Sequence, residues 1–322
     1  MGKKMRNRIG SCAVLILILA QLTGCSSAGD RVTVPEWSVD ATMYEVNIRQ
    51  YTKEGTFKAF EEHLPRLQAM GVKILWFMPI YPISREKRLG TLGSYYSIAD
   101  YCEINPEFGT KEDFKHLVTT CHEMGFKVIL DWVANHTGWD HEWIRKHPDW
   151  YTKNAKGEII FPETWEDVAD LNYDSKSMQR AMLKAMTYWV KEYDVDGFRC
   201  DYAGGVPLEF WETARKKLDR IKPVYMLAED DKAMSLMRYA FNANYGWSLF
   251  HDLNSIARGV KKAESLKDYF QNKIPSYPPG TYPLHFIDNH DENSWNGTVE
   301  ERMGEAQQAM LALIFTVPGM PL

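Results

Sequence analysis

Two kinds of hydrophobic pattern take turns along this chain. From Thr56 to Met70, apolar Phe57, Phe60, Leu64, Leu67 and Met70 recur at helical spacing and stop at Gly71; Val72-Lys-Ile-Leu-Trp-Phe77 then reads as a strand. The phrase returns with Phe114, Leu117, Val118, Cys121 and Met124 on a helix, then Gly125 and the strand Phe126-Lys-Val-Ile-Leu130. Thr110 with Asp113 three residues later resembles a capping box at that helix's start. Further helices are expected over 178–190 and from Pro207 toward Ile221, a first strand over 43–48, and a weaker sixth strand near 241–245. Repeated helix–Gly–strand units predict parallel strands joined by helices.

Four of the apolar runs end in acids. They are Val128-Ile-Leu-Asp131, the run through Phe198 that ends at Arg199 and Asp201, Val224-Tyr-Met-Leu-Ala-Glu229, and His285-Phe-Ile-Asp288 continuing to His290 and Asp291. A carboxylate at the buried end of an ordinary core strand is a liability. Four such endings converge in one architecture, the parallel (β/α)₈ TIM barrel, where the C-terminal strand ends meet on one face. Arg199 and Asp201 stand two apart and share a side of their strand, so the guanidinium is expected to keep Asp201 ionised. Glu229 follows an apolar run with no base beside it, which predicts a carboxyl held in its protonated form. A structural ion pair would explain Arg199–Asp201 alone; it does not explain the other three endings.

About forty residues, 134–174, separate the Asp131 strand from the next helix, and a connection of that length predicts a small subdomain inserted after strand 3. Residues 41–322 are read as an incomplete barrel. Thr316-Val-Pro-Gly-Met-Pro-Leu322 resembles the approach to strand eight, so strand eight and a C-terminal β domain are expected to be missing.

The N-terminus reads as an export signal. Lys3, Lys4, Arg6 and Arg8 precede the apolar stretch 13–19, and Leu22-Thr23-Gly24-Cys25 matches a bacterial lipoprotein cleavage box. Residues 1–25 would be the signal segment ending at a lipidated Cys25, with 26–40 as a tether to an outer or periplasmic membrane face. Without the four N-terminal bases the chain carries 34 basic and 43 acidic residues, which argues against a nucleic-acid partner. Cys102, Cys121 and Cys200 sit in apolar runs and read as buried thiols.

The segments Asp131-Trp-Val-Ala-Asn-His136, Gly197-Phe-Arg-Cys-Asp-Tyr-Ala203, Glu229 at its strand end, and Phe286-Ile-Asp-Asn-His-Asp291 resemble the four signature regions of the α-amylase family, glycoside hydrolase family 13, in the family's order. The resemblance implies Asp201 as nucleophile, Glu229 as general acid/base and Asp291 as the transition-state carboxylate. It implies that His136, Arg199 and His290 bind the sugar at the cleaved bond and that Asp131 supports the site. Tyr96, in Tyr96-Ser-Ile-Ala-Asp100-Tyr101, resembles the family's sugar-stacking Tyr. Tyr95 and Ser94 depart from the usual Gly and His there, so local sugar contacts are expected to differ.

For calcium, the resemblance implies Asn135, Asp170 and the Gly205 carbonyl as ligands, or a metal-free arrangement in which Asn135 only hydrogen-bonds. No organic cofactor is implied. The substrate implied is an α-glucan such as starch or maltooligosaccharides, cleaved with retention, with α-1,4 and α-1,6 preference both open. A 4-α-glucanotransferase or a non-catalytic glucan-binding relative are the alternatives, and the second is expected to lack one of the three acids that this chain keeps.

Overall fold

Alternation along short strands decides which side chains face the barrel axis. The computed structural model describes residues 32–322 and contains eight parallel strands, each hydrogen-bonded to the next in chain order around a nearly closed barrel. They are β1 (Met43–Val46), β2 (Ile74–Phe77), β3 (Lys127–Val133), β4 (Gly197–Asp201), β5 (Tyr225–Ala228), β6 (Ala243–Tyr245), β7 (Tyr282–His285) and β8 (Met320–Pro321). Met43, Ile74, Trp76, Ile129, Tyr225, Leu227, Ala243, Tyr245 and Leu284 pack together in the interior. Their neighbours Val46, Leu75, Phe77, Val128, Leu130, Trp132, Phe198, Cys200 and Met226 pack outward against the helices.

The eighth strand corrects the sequence reading. Met320 pairs with Leu284 and Pro321 with His285, in parallel. The segment 316–322, read from the sequence as only the approach to strand eight, contains the strand itself. Strand one is also shorter than expected: Asn47 accepts the Gln50 N–H and starts a helical turn at Ile48–Tyr51. The 56–70 helix is broken into Phe57–Glu61 and Leu64–Ala69, with Pro65 in the first turn of the second piece, where its missing N–H costs least. The ladder of β7 stops at His285, so Phe286–Asp288 is not strand, and His290 and Asp291 open a helix that Asn289 caps. The other helices form as expected. Thr110 and Asp113 close a reciprocal capping box, and Ser175 caps Lys176–Glu192.

Residues 134–174 carry their own structure, an antiparallel hairpin of His136–Gly138 with Val168–Asp170 beside a helical turn at Glu142–Lys146. The stretch expected as tether is packed from Thr33 on. Thr33 accepts a hydrogen bond from buried Asn242, Ser38 is buried, and Trp37 lies 5.9 Å from the Tyr225 ring. Beneath the barrel, buried Asp196 clasps β3 to β4 through Val128 N–H at 2.9 Å, His122 at 2.7 Å and Lys222 at 3.1 Å. Cys25 and the signal segment lie outside the described residues.

Candidate active site

The period of two carries straight into the site. On β3, Ile129 and Asp131 face inward; on β4, Gly197, Arg199 and Asp201; past β5, Tyr225, Leu227 and Glu229. Gly197 lets the strands approach, because a Cβ there would lie 1.8 Å from the Tyr225 carbonyl oxygen. The sequence-assigned acids thus reach one place. Asp201, Glu229, Asp291, Tyr96, His136 and His290 all line a cavity of about 760 Å³ at the C-terminal strand ends.

Arg199 and Asp131 lie beneath it, both fully buried. Arg199 Nη1 donates to Asp131 Oδ1 at 3.0 Å and to Asp201 Oδ1 at 2.9 Å, and Nε donates to the Tyr245 hydroxyl at 3.1 Å. Nη2 lies 3.0 Å from Glu229 Oε1, an ionic contact without hydrogen-bond alignment. The guanidinium is surrounded by the rings of Trp76, Tyr245 and Tyr96, at 5.2, 5.3 and 5.7 Å. Asp131 Oδ2 accepts from Trp76 Nε1 and from the Tyr96 hydroxyl, each at 3.1 Å.

The environment of Glu229 corrects the expectation of a carboxyl without a base. Burial pushes it up, but Arg199 and the Tyr202 N–H, which donates to Oε2 at 2.9 Å, outweigh burial and hold it below the usual range. Burial and the Glu229 charge push Asp201 well up, against the pull of Arg199. Asp201 and Glu229 each bear on the other's charge, so they titrate as one pair. Burial, opposed by Arg199, leaves Asp131 at about 6, and burial takes neutral His136 down to about 4. Asp291 is raised by burial against the pull of His290.

Several site residues were not found from the sequence. Tyr202 adopts a left-handed backbone, φ 42° and ψ 48°, and this turn aims its N–H at Glu229. Nothing local announces it, since Gly or Asn is the usual occupant of that region. Trp165 stands edge-on to His136 at 5.7 Å and to Tyr202 at 5.2 Å, while Trp247 and Trp295 also line the cavity. Glu45 on β1 bonds His290; an acid within an apolar strand was the available signal.

The three residues assigned to calcium are brought together. Leu171 N–H donates to the Asn135 carbonyl at 3.1 Å beside Asp170, and a Cβ at Gly205 would lie 3.1 Å from Asn135 Oδ1. Burial raises Asp170, and among the described residues no cation pairs with it. Among the described residues no group of three or more His, Cys, Asp or Glu side chains is arranged to hold a metal.

The family model for the alpha-amylase catalytic domain matches residues 27–167 and 145–322. An alpha-amylase of Haloarcula japonica is 27% identical over 305 residues, covering 89% of this chain and 44% of that protein. The crystal structure of an alpha-amylase from Lactobacillus plantarum superposes with a TM-score of 0.80 at 34% identity, over 88% of this chain and 70% of the other. A maltogenic alpha-amylase from Thermotoga neapolitana gives 0.81 at 35%, over 88% and 67%. The chain spans about half the length of the curated relatives it matches.

Arg199→Met should cost about 3–5 kcal/mol at pH 7, because it leaves buried carboxylates without their cation. Those carboxyls would then titrate above their unfolded values, so their penalty operates at high pH and lifts as pH falls. Urea unfolding at pH 7 and pH 5 should show the deficit shrinking on acidification; an equal deficit at both would contradict the charge argument.

Proposed function

Because the chain belongs to the alpha-amylase catalytic-domain family, we propose that it is a retaining hydrolase of α-glucans such as starch and maltooligosaccharides. The observation that carries this reading is the Arg199 junction, which touches Asp201 and Glu229 together at the wall of one cavity. In inverting enzymes a water separates the two carboxyls, about 6.5–9.5 Å apart. Here one guanidinium contacts both carboxyls, Nη1 at 2.9 Å from Asp201 and Nη2 at 3.0 Å from Glu229, which favours the shorter spacing of a retaining pair. Asp201 attacks the anomeric carbon, Glu229 protonates the departing oxygen and later deprotonates water, and Asp291 faces the developing oxocarbenium charge. Neutral His136 and the charged His290 bind the sugar hydroxyls, Arg199 acts from beneath by holding the carboxyls and not as the sugar ligand the resemblance implies, and Tyr96 offers a ring face to the sugar's C–H surface.

Activity should fall above the pair's upper titration, where Glu229 has no proton to give, and below its lower one, where Asp201 is no longer an anion.

Asn135, Asp170 and the Gly205 carbonyl form an all-oxygen set suited to a hard cation, with water completing the six to eight oxygens calcium takes. The ion would tie the inserted hairpin to the loop after β4 and take no part in bond cleavage. Calcium at about a hundred times its dissociation constant should stabilise the protein by about 2.7 kcal/mol. Asp170→Ala should abolish that gain in a thermal-shift titration; an equal gain in both proteins would remove the site.

We further propose export and membrane attachment through lipidated Cys25, which precedes the described residues. Among those residues no helix is long and apolar enough to cross a membrane. Labelled palmitate should enter the wild type and not Cys25→Ala, and incorporation into both would refute the anchor.

For the chemistry itself, Asp201→Asn and Glu229→Gln should each retain less than about a hundredth of wild-type turnover with the fold intact. The first reducing end released from maltoheptaose should be α by proton NMR, and the products should be shorter sugars only. Longer sugars would establish glucanotransferase action instead, and β product first would overturn double displacement.

A further inference from the structure

His290 is the one residue of the cavity wall bonded on both ring nitrogens. Nδ1 meets Glu45 Oε1 in a short contact, and Nε2 lies 2.8 Å from the Tyr96 hydroxyl. The directions of these bonds follow from proton counting. Tyr96 has one hydroxyl proton, and it is directed to Asp131 Oδ2, which also takes the Trp76 N–H. The Tyr96 oxygen can then only accept from His290, so Nε2 carries a hydrogen. On the other side a carboxylate accepts only, so Nδ1 carries one as well.

We propose that Glu45 is a positioning residue for the hydrolytic site: it accepts the Nδ1–H hydrogen bond of His290 and keeps that ring doubly protonated, so that Nε2 holds Tyr96 in place. This inference rests on the reading of the cavity as a glucan-cleaving site. The pair is well shielded from water, with 14% of the Glu45 side chain and 12% of the His290 side chain exposed. The two rings stack at 5.4 Å and 20°, so a fixed His290 fixes the face that Tyr96 shows to the cavity.

Every charged group around the ring bears on its protonation. Glu45 on β1 and Asp291 on its own helix favour the cation; Arg199 on β4 and burial oppose it. Asp131 on β3 and Glu229 past β5 also feel the imidazolium charge. The balance places His290 at about 9, with burial opposing and Glu45 the leading favourable partner. The imidazolium then stands 3.5 Å from Asp291 Oδ2 and draws that carboxyl toward its anion, the form needed opposite a developing positive charge. Glu45 therefore acts on Asp291 and Tyr96 through His290, although it touches neither the acid pair nor Arg199.

Glu45→Gln separates charge from shape, because the amide oxygen can still accept the Nδ1–H bond while its negative charge is gone. Long-range proton–nitrogen NMR on the full chain labelled with ¹⁵N-histidine, assigned against His290→Asn, reads the two ring nitrogens directly. At pH 7.5 the wild type should show both protonated and Glu45→Gln only one; Glu45→Asp, which keeps the charge, should restore the second. The pH at which the ring loses its second proton should move down by at least one unit in Glu45→Gln. It should return toward the wild type in Glu45→Asp. If Glu45→Gln keeps both ring protons at pH 7.5, or loses the second at the wild-type pH, the proposal fails. A wild type with the doubly protonated ring and no turnover would sink the hydrolase reading while leaving the Glu45–His290 linkage standing.

Discussion

A single buried guanidinium organises this barrel's working end. Arg199 is fully shielded from water, and so is Asp131 beneath it. Isolated charges at that depth are prohibitive, and each persists here only because the others are present. Three carboxylates converge on one cation, which is one more pair of negative charges than it can neutralise. That surplus has two outlets in the structure. Burial and the Glu229 charge raise Asp201 toward its neutral form, and His290, carrying its own positive charge beside Glu45, lowers Asp131 and Glu229. The electrostatics of the cavity wall are therefore set from below, by a residue that does not line the cavity.

Strand alternation is what makes such a junction possible. The β3–β4 register pairs Asp131 with Arg199, and the β4–β5 register pairs Arg199 with Leu227. Inward positions on neighbouring strands therefore stack in layers, with Asp131 and Arg199 in one layer and Asp201 two positions beyond it, toward the C-terminal ends. A one-residue slip of β4 would turn Arg199 outward into the helix layer and bring Cys200 inward. Gly197 guards that register at the bottom of the strand, where any side chain would collide with the Tyr225 backbone.

Much of this was legible in the chain because the signal was local. An apolar run ending in an acid announces an inward carboxylate at a strand end, and Asp131, Asp201 and Glu229 were found that way. Glu45 carries a milder form of the same signature, an acid two residues after inward Met43, but it sits inside its strand and does not close it. What local pattern could not supply was the environment of Glu229. Its counter-ion lies thirty residues earlier and reaches it only through the pairing of β4 with β5. The left-handed turn at Tyr202 was illegible for another reason: the residue is unfavourable there, and the surrounding fold imposes the conformation. Strand β8 escaped notice because two residues are too few to show a period.

The two oxygens of Glu229 are held in different ways. Oε2 is held by a well-aligned Tyr202 N–H, whereas Oε1 meets Arg199 Nη2 without alignment. The second contact is the weaker, since hydrogen bonds fall off steeply with angle. Oε1 is therefore the oxygen that can carry a proton at least cost, because protonation there gives up only the unaligned contact. Asp201 has the aligned Arg199 Nη1 at 2.9 Å, which favours its anion. One guanidinium thus treats the two carboxyls unequally, and the difference in alignment runs in the direction that separate acid and nucleophile roles require.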